Sequence, residues 1–420
     1  MKKTLLLLLF VAAFGFVSCD KDQDDSLYAD YQVARPLKMT TAEFRSGVDV
    51  IAPVPILESG KIYAYKNFIF INDKNKGIHV VDNTDPSNPK KISFIEIPGN
   101  VDISIKDDFL FADSLSDLVV LDISDMKDIK QVNRLQDVLQ SNVFWPVDAD
   151  IFENDAIDYG NEILVGWEVV TERRLKSEVE NGNGVFWEGN FNALADAAAP
   201  TNSTTGQGGS LARFKIVDDY LYAVDFHDIN IFNISDLGSP KTLGPVSAGF
   251  DIETIFNQGQ YLFLGSMSGM FIYDISSPAV PTYVSEFQHG TACDPVVVDD
   301  DYAYVTLRGG SACGATESGL LIIDISNIAN PVLQKEYPMD GPYGLGIKDE
   351  KLFICDGDSG LKVYDKTDVD NLVQLSHFKD INTFDVIPLE NNLLMTGKDV
   401  IYQYKYLDDN IRLLSTLRLN

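Results

Sequence analysis

The 420-residue chain contains only four cysteines and four histidines, and its 33 basic residues are outnumbered by 63 acidic ones. Each scarcity excludes something. So few cysteines cannot staple a disulfide-dense mini-scaffold of this length. A surplus of 30 negative charges would be repelled by phosphates, so nucleic acid is not an expected partner. No GxSxG, HExxH, P-loop or dinucleotide fingerprint occurs, and no CxxC pair, so no catalytic motif fixes a reaction. Beyond the first 18 residues no apolar run approaches the length of a membrane-spanning helix. What is plentiful is apolar and aromatic: 45% apolar residues, with 24 Phe and 18 Tyr, can bury a large core and argue against disorder.

The N-terminus reads as an address. Met1-Lys2-Lys3 is a basic start, and Thr4 to Val17 is an apolar stretch too short to span a bilayer comfortably, as expected of a signal peptide over residues 1–18. Ser18-Cys19 resembles the cleavage box of a bacterial lipoprotein, with Phe16 at a position where Leu is usual. The resemblance implies that Cys19 is acylated and begins the mature chain. Asp20-Lys21-Asp22-Gln23-Asp24-Asp25 then opens an acidic, solvated tether over 19–47, similar to the export signals of Gram-negative surface lipoproteins; a plain linker is the alternative. The expected location is the outer membrane, surface-exposed or facing the periplasm, with membrane contact through the lipid alone. Removing residues 1–18 leaves 31 basic and 63 acidic residues, a net charge of −32.

The remainder, 48–420, is repetitive. Five-residue apolar runs ending in Asp or Asn recur at Ile78–Asp82, Leu118–Asp122, Ile229–Asn233, Met270–Asp274, Leu320–Asp324 and Leu361–Asp365, with a weaker copy at Val400–Tyr404. Their β-branched and aromatic residues, flanked by Gly and Asp, predict strands. The terminal Asp or Asn can accept from the N–H two residues on, forming an Asx turn. Pro89, Pro240, Pro281 and Pro331 each follow that residue by seven positions, where a missing N–H suits the start of an edge strand. Upstream hairpins such as Phe109–Asp113 and Tyr261–Leu264 complete four antiparallel strands per repeat of roughly 40 residues, a β-propeller blade. The Val48–Ile56 strand is confined to an edge by Pro53 and Pro55, near the ring closure.

These runs resemble the LVIVD-repeat family, which Leu118–Asp122 and Leu320–Asp324 match nearly letter for letter, over about residues 60–420. The resemblance implies a secreted or surface propeller and carries over no catalytic residue. The expected fold is all-β, a propeller of four-stranded antiparallel blades. Inner strands are expected to begin near Ile62, Val101, Val147, Phe214, Ile252, Pro295, Tyr343 and Phe384, eight slots of which seven are complete. The alternative is a seven-bladed ring with an irregular insertion at 171–211.

Candidate chemistry gathers at one face. Asp102, Asp148, Asp251, Asp294 and Asp385 stand at or just before inner strands, and Asp113, Asp225 and Asp356 end second strands. Such a rim would attract cations or a basic partner; turn and strand-entry roles compete with that reading. His289, Arg308 and Tyr343 fall in loops of the same face. Asp356-Gly357-Asp358-Ser359-Gly360 resembles half of a calcium loop, but its twelfth position is Thr367, so a β-turn competes with Ca²⁺. No other cofactor is expected. In an oxidising envelope Cys293 and Cys313 are candidates for a disulfide, leaving Cys355 as a buried apolar side chain. Trp145, Trp167 and Trp187 form a candidate sugar-stacking or burial cluster. The expected function is a non-enzymatic surface module binding a protein or glycan. A glycan hydrolase or lyase using mouth carboxylates is one alternative, and a structural surface-assembly protein is another.

Overall fold

The structure, a computed structural model, describes residues 27–56, 59–140, 143, 145–146, 149–153, 157–181, 205–290, 295–309, 317–408 and 410–419. The chain divides into two compact units. No helix among the described residues is long and apolar enough to cross a membrane.

The larger unit comprises 37–147, 157–166 and 189–420. Its described residues form seven antiparallel sheets of sequence-adjacent strands. The first strands are Ser59–Tyr65, Ile103–Lys106, Phe214–Val217, Ile252–Gln258, Val296–Asp299, Leu345–Lys348 and Asp385–Pro388. The third strands coincide with the repeated apolar runs, from Gly77–Asp82 to Val400–Tyr406. Each of these runs is apolar without alternation because neighbouring sheets cover both of its faces. Leu118, Val119, Val120 and Leu121 are all completely buried. Apolar clusters join each sheet to the next, and Ile62, Ile69 and Val81 of the first pack with Ile387, Leu394 and Ile401 of the last.

The turn chemistry follows the sequence. Asp82, Asp122, Asn233, Asp274, Asp324 and Asp365 each accept from the N–H two residues on, at 2.6–3.0 Å. The hydroxyls of the neighbouring Ser or Thr hold these five Asp carboxyls below their usual range. Outer strands begin at Lys90, Lys241, Thr282 and Val332, immediately after the four prolines. In all seven sheets the third and fourth strands pair through a bulge; in six of them the fourth strand is the sheet's edge, which a bulge twists away from further pairing.

Two differences from expectation stand out here. The tether expected to run to residue 47 is ordered from Tyr28: a strand covers Tyr28–Thr40, and Thr40 caps a one-turn helix, Thr41–Phe44, through a reciprocal contact with Glu43. The eighth slot, near Val147, gives no four-stranded sheet among the described residues. Instead Ile151–Phe152 and Glu162–Leu175 flank Tyr28–Thr40 in a three-stranded sheet. A 14-residue strand such as Glu162–Leu175 is longer than any strand of the seven sheets, so it does not fit the repeat. The smaller unit, within 1–36, 148–156 and 167–188, holds Val33 and Ala34 buried. Around them Arg35 and Arg174 are paired with Glu153 and Glu172.

The expected edge strand is present as Asp49–Ile51, antiparallel to the outer strand Lys90–Glu96 of the first sheet. Close by, Ile56 N–H donates to Leu419 O (3.2 Å), and Lys91 Nζ reaches the same oxygen (2.5 Å). Gln403 and Asn83 exchange two side-chain hydrogen bonds across the seam between last and first sheets.

Candidate functional site

The end of the expected insertion supplies the main surprise. Gln207–Gly208 pairs with the first strand of the first sheet, at Ala64 and Tyr63. Gly206 N–H donates to Ile105 O of the second sheet (2.8 Å). Gln207 Nε2 donates to Pro388 O of the seventh sheet (2.9 Å), and Ser210 Oγ accepts from Leu345 N–H of the sixth (2.7 Å). Residues 205–213 thus lie along the inner strands of several sheets at once. The segment is glycine-rich because nothing larger fits. A Cβ on Gly206 would overlap the Tyr63 ring, and one on Gly209 would overlap the Asp385 carboxylate.

This segment takes up the carboxylates expected at the channel mouth. Asp102 is buried; it accepts from Lys61 Nζ (2.9 Å), Arg213 N–H (2.5 Å) and Ile103 N–H (2.7 Å). Asp385 is buried too, with Oδ1 accepting from the N–H and hydroxyl of Ser210 and from Val386 N–H. Burial pushes the Asp385 carboxyl well above the usual range, which favours its acid form. Asp356 is likewise buried and accepts from Asp340 N–H, Gly341 N–H and the Lys362 ammonium. Asp225 does the same for His227 N–H, Asp228 N–H and Asn230 Nδ2. In the first repeat, Asp73 meets His79, both buried, at 3.2 Å. The recurrent device is a second-strand carboxylate that ties a face loop to a polar side chain of the third strand.

Other expected face residues scatter. Asp251 is exposed, in the left-handed region (φ 54°). His289 sits with Nδ1 2.6 Å from Gly290 O. The Arg308 guanidinium stacks on the Tyr343 ring at 3.9 Å, and that ring meets Phe384 edge-on. Cys355 is a buried free cysteine, its thiol raised by burial. Trp145 and Trp167 belong to different units. Cys19, Asp148, Trp187, Cys293, Asp294 and Cys313 lie outside the described residues. Among the described residues no three His, Cys, Asp or Glu side chains are grouped to hold a metal ion.

Among the described residues a small recess of about 20 Å³, room for about one water, lies between the second and third sheets, lined by Asp113, Leu115, Leu139, Gln140, Arg213 and Phe214, with Val224, Asp225 and Asn230 beyond. Burial pushes the Asp113 carboxyl up to about 6; backbone N–H donors at 101 and 102 and the Arg213 charge oppose the rise, and the Asp102 charge adds to it. Arg213 and Gln140 were not among the expected site residues. A usable signal existed: Arg213 directly precedes an inner strand, the place that Asp102 and Asp251 occupy in other repeats.

The family model described as LVIVD repeat matches residues 58–94, 99–128, 253–288 and 289–338. The chain carries LVIVD repeats. These segments coincide with the first, second, fourth and fifth sheets, and the other three sheets have the same strand order. Among solved structures, the LVIVD-repeat chain is similar to Saccharomyces cerevisiae Sqt1 at 9% identity, over 92% of this chain and 88% of that one, with a TM-score of 0.49. It is similar to Kluyveromyces lactis Hsv2 at 11% identity, over 86% and 100%, with a TM-score of 0.48. For BamB from Moraxella catarrhalis the values are 8%, 90%, 99% and 0.48. At such values these likenesses carry no argument about activity. No match is found among curated proteins.

Proposed function

We propose that this LVIVD-repeat chain is a non-enzymatic binding module whose seven sheets complete a β-propeller ring and whose loop face receives a protein or glycan partner. One observation carries the reading. Asp102 and Asp385, beside the filled inner strands, are engaged by the chain's own Lys61, Ser210 and backbone N–H groups rather than left free for a substrate. Acid–base cleavage of a glycan needs two carboxylates open to the substrate; both Asp102 oxygens are engaged, and the second oxygen of Asp385 is buried. The test is capture of partners by the full chain from a surface extract and from a glycan array. A saturable partner recovered chemically unchanged is expected. Release of new reducing ends would favour the hydrolase reading, and capture of copies of the chain alone would favour the assembly reading.

The address belongs to the same proposal: a lipoprotein of a Gram-negative outer membrane, held through Cys19. Cys19→Ala is expected to move the protein from the membrane to the soluble fraction and to abolish incorporation of labelled palmitate. Retention in the membrane without label would overturn the anchor. We further propose the Cys293–Cys313 disulfide, which pins the loop of the fifth repeat. Thiol counting on the denatured, unreduced chain is expected to find Cys355 alone besides any free Cys19; three thiols besides Cys19 would refute the bridge.

A further inference from the structure

The carboxyl that ties residues 205–213 to the seventh sheet has two unequal oxygens. Asp385 Oδ1 accepts from Ser210 N–H (3.0 Å), Ser210 Oγ (2.9 Å) and Val386 N–H (2.8 Å). Ser210 Oγ accepts in turn from Leu345 N–H of the sixth sheet (2.7 Å). Asp385 Oδ2 is buried and has no hydrogen-bond partner among the described residues. It lies instead against Gly209, at the place a Cβ would take, and Gly344 makes similar room beside Oδ1. Asp385, Gly209 and Ser210 are all buried. The Lys61 ammonium bonds Asp102 at 2.9 Å and acts on Asp385 only through its charge.

A carboxylate spreads its charge over both oxygens and needs donors at each. Three donors at one oxygen and none at the other suit a carbonyl beside a neutral hydroxyl. An unpaired hydroxyl in a dry pocket costs less than an unpaired charge. Burial raises the Asp385 carboxyl well above its usual range, and the Val386 N–H, the Ser210 hydroxyl and the Lys61 charge oppose the rise. We propose that Asp385 is a proton-dependent latch: as the neutral acid it holds residues 205–213 to the sixth and seventh sheets, and loss of its proton in alkaline medium loosens them. In the loosened state water reaches the carboxyl, which then ionises near its ordinary value of about 4. Loosening therefore releases a proton. A rise in pH favours it by up to about tenfold per unit, until the seated carboxyl ionises as well. Lys61, Cys355 and, beyond Lys61, Asp102 are the titratable groups that face it. The latch does not depend on which partner the loop face receives.

The test digests the full chain with proteinase K from pH 5 to pH 9 and counts cuts within residues 205–213 by mass spectrometry. Asp385→Asn keeps the accepting oxygen and cannot ionise. Dividing the wild-type rate by the variant rate at each pH removes the protease's own pH dependence. That ratio is expected to rise roughly tenfold or more across the range, because cutting follows the loosened population. Cys355→Ala is expected to keep the wild-type rise. Asp385→Ser, a smaller neutral acceptor, carries the same expectation as the amide and replaces it if the amide does not fold; thermal unfolding at pH 5 is the folding control. A ratio that stays flat or falls with pH would overturn the latch. So would a rise abolished by Cys355→Ala, which would assign the proton to the thiol. Failure of both Asp385 variants to fold at pH 5 would overturn it too, because a neutral side chain would then not suffice to hold the segment.

Discussion

Lys61→Met is expected to lower the free energy of unfolding by about 3–5 kcal/mol, read by urea denaturation at neutral pH. Lys61 and Asp102 are 9% and 3% exposed, and their contact at 2.9 Å joins the inner strand of the first sheet to the entry of the second. A surface pair at that distance would contribute little. Here the methionine leaves the Asp102 carboxylate buried with two N–H donors and no counter-charge. Asp102→Asn in the same chain removes the stranded charge, so Lys61→Met/Asp102→Asn should lose less than the sum of the two single changes. Strict additivity would mean that the pair is not coupled and that the inner carboxylate is solvated in solution.

Gly209→Ala is the second large effect. The added methyl would overlap the Asp385 carboxylate, whose oxygen sits where a Cβ belongs. Ser210 cannot retreat without losing its two bonds to Asp385 and its bond from Leu345 N–H. Overpacking of this kind costs about 1–3 kcal/mol, and the lost hydrogen bonds add to it. Limited proteolysis should then cut near residues 206–210, where the wild-type chain resists. Asp385→Gly in the Gly209→Ala background makes room for the methyl and is expected to restore part of the resistance. If Gly209→Ala leaves both stability and proteolysis unchanged, the segment does not sit along the inner strands.

The blades were legible because their physics is local. The apolar runs, the Asx turns at Asp122 and Asp324, and the prolines before Lys90 and Thr282 each depend on neighbours within ten residues, and the structure reproduces them. The filling of the inner strands was not legible, because Gln207 and Ser210 bond partners far away in the chain, at Pro388 and Asp385. Its only sequence trace is the spacing of Gly206, Gly208 and Gly209. The same holds for charge. Sequence position groups Asp102, Asp251 and Asp385 as equals at inner-strand starts, yet the first and last are buried and only the second is exposed. Eight of the 63 acidic residues lie instead in two-residue hairpins between first and second strands. There Asp107, Asp218, Asp300 and Asp349 adopt φ near 50°, a conformation that Asp tolerates better than most residues.

The segment 205–213 also orders events in time. Each sheet is a meander of adjacent strands and can form as soon as it is made, which keeps most contacts short in sequence. The segment does not share that freedom. Its partners at Tyr63 and Ile105 precede it in the chain, whereas those at Leu345, Asp385 and Pro388 are synthesised more than 130 residues later. It can seat against the first and second sheets early, but it locks only when the sixth and seventh arrive. Its full set of bonds therefore waits on the sixth and seventh sheets, and until these are made Ser210 lacks its acceptor, Asp385.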